Sequence, residues 1–444
     1  MSLKSTIKKL LGRRGMRAYH YLAAQVAALY FGYPSKNLIT IGVVGTKGKT
    51  STANFIWACL QQAGLGTAML STANIRMGQK EVLNQYHMTM PKAFIIQRFL
   101  KRTLDEKLAV AIIEATSEGI KQFRHKGIDF DFLVFTNLSP EHLPSHGNSF
   151  DKYQKTKGQI FAGLTNYPDK HLANRDIKKT IIANIDDPNS QYFLNFKAEK
   201  KVSFAIKNKA DYQATNLQAD DKEISFSVKG RLYRLNLIGE FNVYNALPAI
   251  AICELLKIPY EQIRDGLANL KILPGRMEII NSPSASGGDG QDFVVLVDYA
   301  HEPKSIELAL KASRNLVKDN GKLIILLGAE GGGRDKAKRP KMGELAGQLA
   351  DVAVVSNVDP YDDDPKEIIK DIAVASARVG KVVNQNLFVI EDRREGIKKC
   401  LQIAKEGDVV LITGKGAEQS MIIQGQKIPW DDREVVKEEL KKLI

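Results

Sequence analysis

The chain has 444 residues, enough for two or three domains with complete cores, and its 44% hydrophobic and 26% charged content is that of a soluble globular protein. Lysine and arginine outnumber aspartate and glutamate by 64 to 50, a net charge of +14 that suggests an anionic partner. The basic residues are scattered and no aromatic-interleaved RNA-binding signature occurs, so small anionic ligands are expected and nucleic acid is not.

At the N-terminus, Lys4, Lys8, Lys9, Arg13, Arg14 and Arg17 precede an uncharged stretch from Ala18 to Ser35. That stretch is as long as a short membrane span, but it holds His20, Gln25, four tyrosines, Gly32 and Pro34, and lacks a convincing cleavage site. A helix packed on the protein is expected, with weak peripheral contact to a membrane surface as the lesser alternative.

The apolar run Leu38–Val44 reads as a buried strand, followed at once by GTKGKTS and by an amphipathic segment ending near Gly64. Strand, Gly-rich turn and helix start in that order make a phosphate cradle, because backbone N–H groups and the helix dipole point at one anion. Gly45 and Gly48 allow close approach, Thr46 and Lys47 complete the turn, Lys49 reaches the terminal phosphates, and Thr50 or Ser51 offers a hydroxyl to Mg2+. The general Walker pattern is not met, since Val43 stands where its first glycine belongs.

Apolar runs at Leu108–Ile113 and Phe130–Phe135, separated by helix-compatible segments, predict a parallel α/β sheet. Ligands in such sheets bind at the carboxyl ends of strands. Glu114 closes the first of these runs, and Thr136, Asn137, Glu141, His142 and His146 follow the second. A carboxylate and an imidazole near a triphosphate suit metal ions. Around 200–238, KVSFAI, EISFSV and RLYRLNLI predict a small antiparallel section ending the first unit. From Phe293 on, VVLVDYA, KLIILLGA, VAVVSN, NLFVIED and VVLITG predict a second doubly wound domain. Ser282–Gln291 reads as a loop, and GAEGGG, Gly328 to Gly333, as a Gly-rich loop lining a crevice. Cys59, Cys253 and Cys400 have no zinc-like spacing and predict neither a metal ribbon nor a disulfide framework, as in a reducing cytoplasm.

Seven motifs now stand in one order: GTKGKTS, TNLSPEHLPSHG, GEFNVYNALPAIA, LPGRMEI, VDYAHEPKSIELAL, GGGRDKAKRPKMGELA, and GDVVLITGKGAEQ with DDRE. From about Leu38 to the C-terminus the chain resembles the ATP-dependent Mur ligases of peptidoglycan synthesis, among them the kind that adds the third amino acid of the stem peptide. The resemblance implies an α/β fold: a central P-loop-type ATPase domain with a mostly parallel sheet, residues 38–273, and a C-terminal Rossmann-like domain, 274–444. Residues 1–37 are expected to form a short helical segment in place of the usual uridine-nucleotide domain.

It also implies roles. Lys49 and Thr50 hold the phosphates and Mg2+. Glu114 and His142 are metal-site residues. Lys157 of DKYQKTKGQIF aligns with a lysine carried as an N-carboxylated side chain, which turns a cation into an anion beside the metal. Asn245 meets adenine and Asp298 the ribose, while Arg276 and His301 approach the γ-phosphate, which implies closure over ATP. Thr89, Thr116, Ser117 and Arg124 fall at acceptor positions, and Arg334, Gly414 and Glu418 at positions for the incoming amino acid.

The departures are specific. Thr89-Met90-Pro91 lacks one hydroxyl of the usual TTP, Thr116-Ser117-Glu118 replaces SSH, and Ala417 replaces a histidine. The selectivity motif, DNPR in enzymes that take meso-diaminopimelate, is Val358-Asp359-Pro360-Tyr361, with Tyr361 lying 27 residues after Arg334. The arginine that grips a distal carboxylate is therefore absent. Asp362, Asp363 and Asp364 read as a solvated acidic turn. The expectation is a cytoplasmic, monomeric ATP- and Mg2+-dependent amide ligase working through an acyl phosphate. A folylpolyglutamate-type ligase and a catalytically silent nucleotide-binding partner are the alternatives.

Overall fold

The computed structural model describes residues 3–443 except 87, 142, 173, 221–222, 282–292 and 319. The chain divides into two compact units: 1–217 with 225–235 and 242–270, and 218–224 with 236–241 and 271–444. It is a mixed α/β protein with a large, mostly parallel sheet and a separate C-terminal α/β domain.

The first unit opens with a helix, Leu3–Tyr30 (α1), broken at Gly12, where φ is 57°. Its sheet takes Ile39–Val44 (β1), Thr67–Leu70 (β2), Asn74–Met77 (β3), Lys80–Leu83 (β4), Val110–Ala115 (β5) and Phe132–Phe135 (β6). Beside it lies a small ribbon, Lys170–Leu172 (β7) with Arg175–Ile177 (β8). The sheet continues with Thr180–Asn184 (β9), Lys200–Ala205 (β10), Tyr212–Ala219 (β11), Ile224–Val228 (β12) and Arg231–Leu235 (β13). The order is β13-β12-β11-β10-β9-β6-β1-β5-β2-β3-β4. β1 lies at its centre, parallel to β5 and β6. All six residues of β1 are buried, as a run rich in β-branched side chains covered on both faces must be.

The 200–238 segment departs from expectation. Its strands extend the main sheet, and the first of them, β10, runs parallel to both β9 and β11 where an antiparallel pairing was expected. Alternation of apolar residues reports a half-covered surface and carries no strand direction. On one face of the sheet, Leu133 and Phe135 pack with Tyr153, Phe161 and Phe193, and the Phe135 and Phe193 rings stack at 4.0 Å. Four helices matter for the site: Lys49–Gln62 (α2), Ala93–Asp105 (α3), Ser117–Lys121 (α4) and Phe150–Ala162 (α5).

The second unit has a six-stranded sheet made of Glu278–Asn281 (β14), Val294–Asp298 (β15), Leu323–Leu327 (β16), Val352–Val355 (β17), Leu387–Val389 (β18) and Val409–Thr413 (β19). Its order is β14-β15-β19-β16-β17-β18. The five expected strands are all present and parallel where they pair; β14, which the sequence did not announce, adds antiparallel to β15. A hairpin of Ser420–Ile423 (β20) and Gln426–Pro429 (β21) follows. The predicted loop at 282–291 lies outside the described residues.

Candidate active site

The cradle sits where β1 ends and α2 begins. A Cβ on Gly45 would lie 1.9 Å from Thr136 Oγ1, and one on Gly48 2.2 Å from Asn245 Oδ1. Gly48 also has φ 80°, so glycine is required there twice over. The end of β6 braces the turn. Thr46 N–H donates to Asn137 O at 2.9 Å, Lys47 N–H to Asn137 Oδ1 at 2.8 Å, and Thr136 Oγ1 to Lys47 O at 2.7 Å. Lys47 pairs with Glu141 at 2.6 Å. Thr46, Thr50 and Ser51 are buried, and Asn245 bonds to Asn242 at 3.2 Å.

Glu114, at the end of β5 and 2% exposed, is the hub. It accepts from Thr50 Oγ1 at 2.9 Å, from Thr72 N–H at 2.8 Å and from Thr72 Oγ1 at 2.9 Å. Lys49 Nζ lies 3.9 Å from it and donates to Thr46 O at 3.0 Å. Thr72 shares a hydrogen bond with Thr89 at 2.8 Å, which ties the expected acceptor threonine to Glu114. Lys157 projects from α5 to Gly45 O, 2.6 Å away. Burial, then the neighbouring Lys49 charge, pushes its amine well below the usual lysine range.

A second cluster gathers the residues expected at acceptor positions. Arg124 donates to Met90 O and, at 2.6 Å, to Gln122 Oε1. Thr116 caps α4 by accepting from Gly119 N–H at 3.2 Å. Ser117 bonds to His146 Nε2 at 3.2 Å, and the other ring nitrogen is 3.4 Å from Thr156 Oγ1. His142 lies outside the described residues. Sequence reasoning missed Thr72 and Tyr153, whose hydroxyl is 3.2 Å from Thr46 Oγ1. Thr72 had a signal: it follows β2 by two residues, at the same carboxyl edge as Glu114.

The second unit gathers its own set. Asp298 at the end of β15 accepts from Met277 N–H at 2.8 Å and Ala300 N–H at 2.7 Å, which pins the PGRME turn to the strand. Arg276 lies over the Tyr299 ring at 4.4 Å, and His301 packs edge-on to that ring with Nδ1 2.8 Å from Tyr299 O. Tyr299 Oη donates to Glu418 at 3.2 Å. Burial would raise Glu330, yet Lys338, His301 and Arg334 more than offset it and hold the carboxyl well below the usual range. Burial lifts Glu418 despite its 2.6 Å bridge to Lys415. Lys415 also binds Asp359 at 2.8 Å, and the other Asp359 oxygen accepts from Ile422 N–H at 2.8 Å. Tyr361 has φ 55°, lies against Gly332 and is near enough to Arg334 to act on its guanidinium. Gly414, at φ 113°, donates to Asp298 O at 3.2 Å. Asp364 caps the helix Pro365–Arg378.

The groups around Glu114 suit a hard cation: a carboxylate and a hydroxyl, beside a lysine whose amine is pushed well below the usual lysine range. Among the described residues no three His, Cys, Asp or Glu side chains converge on one point.

Over residues 43–253 the chain matches the Mur ligase middle domain, and over 275–416 the family described as Mur ligase, glutamate ligase domain. It is 36% identical over 430 residues to UDP-N-acetylmuramoyl-L-alanyl-D-glutamate–2,6-diaminopimelate ligase of Geobacillus kaustophilus, covering 94% of this chain and 82% of that one. It is 33% identical over 417 residues to UDP-N-acetylmuramyl-tripeptide synthetase of a Roseiflexus species, covering 92% and 80%. A folylpolyglutamate synthase from Mycobacterium tuberculosis, solved with ADP, superimposes with a TM-score of 0.70 at 18% identity, over 93% of this chain and 95% of that one. At that identity the likeness speaks to fold alone.

Proposed function

The chain belongs to the Mur ligase family, and we propose that it lengthens a UDP-N-acetylmuramyl-dipeptide-like acceptor by one amino acid in peptidoglycan precursor synthesis. It is an ATP-dependent, ADP-forming amide ligase. An acceptor carboxylate oxygen attacks the γ-phosphorus of ATP and ADP departs. The amine of the incoming amino acid attacks the resulting acyl phosphate, phosphate leaves with that oxygen, and the nitrogen sheds a proton.

The observation that carries this reading is the set of Lys49, Thr50, Glu114 and Lys157 around the Gly45–Ser51 turn. The chemistry concentrates negative charge, and fixed donors in a buried site offset it without reorganising. We assign Lys49 to the phosphates, Arg276 and His301 to the γ-phosphate, Asn245 to adenine and Asp298 to ribose. Thr50, Glu114, His142 and a carboxylated Lys157 would hold Mg2+, which supplies charge neutralisation when bound. A neutral buried amine is the form that adds CO2, releasing one proton as the carbamate forms. Thr89, Thr116, Ser117 and Arg124 are assigned to the acceptor; Arg334, Asp359, Tyr361, Gly414 and Glu418 to the amino acid.

The reading puts a monomer in the cytoplasm, where ATP is made and the three thiols stay reduced. Mass spectrometry of products from UDP-muramyl-dipeptide, ATP and mixed amino acids tests it. One amino-acid adduct is expected; ATP turnover with no adduct contradicts the acceptor assignment.

A further inference from the structure

The first helix turns one face inward and leaves the opposite face bare. Ala24, Ala27 and Ala28 are fully buried, and Ala28 packs so closely on Gly127 that a Cβ there would come within 2.5 Å. On the other side, Tyr19, Leu22, Val26, Leu29 and Tyr30 keep 54%, 60%, 53%, 66% and 75% of their surface exposed. Their spacing of three, four, three and one sets them on a single helical stripe. Phe94 of α3, also exposed, extends the stripe, with its ring 6.2 Å from that of Tyr30. Soluble proteins rarely leave so many large apolar side chains contiguous without a partner.

Charge identifies the partner. Six lysines and arginines stand between residues 4 and 17, and the first acidic residue of the whole chain is Glu81. A stripe rich in tyrosine and leucine, preceded by a segment whose charged residues are all basic, matches the boundary between lipid headgroups and acyl chains. A second copy of the chain would instead bring six more positive charges to the same surface. No described helix is long and apolar enough to cross a membrane, so the helix would lie on it.

We propose that the Tyr19–Leu22–Val26–Leu29–Tyr30 face docks on an anionic lipid bilayer, drawn there by the basic segment before it. His20, on the same helix, lies near enough to Arg124 and Glu118 for their charges to act on it. Docking would therefore hold the Arg124 neighbourhood at the membrane. The docking does not depend on which reaction the protein catalyses.

The test is co-sedimentation of the full chain with vesicles of phosphatidylcholine and phosphatidylglycerol, against vesicles of phosphatidylcholine alone. Binding is expected to the anionic vesicles only, and to weaken about tenfold or more in about 0.5 M salt. A Leu22→Asp/Leu29→Asp variant, altered at exposed positions, should bind at least about tenfold less with an unchanged melting temperature. Three results would overturn the proposal: no binding by the wild type, equal binding to neutral vesicles, or equal binding by the variant. A wild-type dimer in light scattering that the variant dissolves would assign the face to a second copy and overturn it as well.

Discussion

Lys157 Nζ donates to the carbonyl of Gly45 across 2.6 Å, joining α5 to the first residue of the phosphate turn. The lysine is 2% exposed and faces the Lys49 charge, and burial followed by that charge pushes its amine well below the usual lysine range. Lys157→Ala should lower kcat by about 10²- to 10³-fold, the scale of losing one electrostatic stabiliser, while leaving ATP affinity nearly intact. Added acetate or formate should restore part of the rate, because a small carboxylate can take the place of the carbamate. Lys157→Arg, which cannot be carboxylated, should be as slow as the alanine variant and gain less from either salt. Steady-state phosphate release measures all three.

The contact between Gly48 and Asn245 gives a second prediction. In Gly48→Ala the new Cβ would sit 2.2 Å from Asn245 Oδ1, at a backbone φ of 80°. ATP affinity measured by calorimetry should fall by more than about tenfold, since strain of about 1–3 kcal/mol falls on the turn that binds phosphate. Gly48→Ala with Asn245→Ala removes the collision and leaves the backbone strain. Its melting temperature should recover part of the loss, and its ATP affinity should stay low.

His125 predicts an acid-sensitive fold. Both ring nitrogens are buried without a hydrogen-bond partner, and burial, followed by the Lys126 charge, lowers its pKa to about 3. The unfolded chain takes up this proton near pH 6.5 and the folded chain only near 3. Stability is therefore present above 6.5 and lost as pH falls through that window, at about 1.4 kcal/mol per pH unit. Urea unfolding between pH 4.5 and 7.5 should show a shallower slope in His125→Leu than in the wild type. Identical slopes would contradict the burial argument.

Tyr361 occupies the position where the diaminopimelate-type motif has arginine, and it lies near Arg334. Tyr361→Arg should raise kcat/KM for meso-diaminopimelate relative to lysine by about tenfold, by restoring a fork-shaped donor for a distal carboxylate. Competition between the two amino acids, read by product mass, measures this. An unchanged ratio would mean that Tyr361 does not face the distal end of the amino acid.

Much of the site was legible because its parts are local. GTKGKTS joins a strand ending at Val44 to a helix starting at Lys49, and Glu114 announces itself as a carboxylate near the end of an apolar strand. What escaped was long-range or directional. Thr72 matters only because the pairing of β2 with β5 brings it to Glu114, and no spacing encodes that register. The direction of β10 was misread because alternation reports burial, not polarity. β14 was missed because Glu278–Asn281 is short and only partly apolar, and it becomes a strand by pairing with β15. Asp359 of the selectivity motif has its two oxygens engaged by Lys415 and the Ile422 amide, partners more than fifty positions away that no local spacing announces.

The most direct measurement follows one oxygen atom. UDP-muramyl-dipeptide carrying ¹⁸O in the carboxylate to be joined, with ATP, Mg2+ and the incoming amino acid, should yield amide, ADP and inorganic phosphate. The account predicts one ¹⁸O in each phosphate released, and loss of both amide and labelled phosphate in Lys49→Ala. Phosphate free of ¹⁸O beside a normal yield of amide would contradict an acyl phosphate and the mechanism built on it.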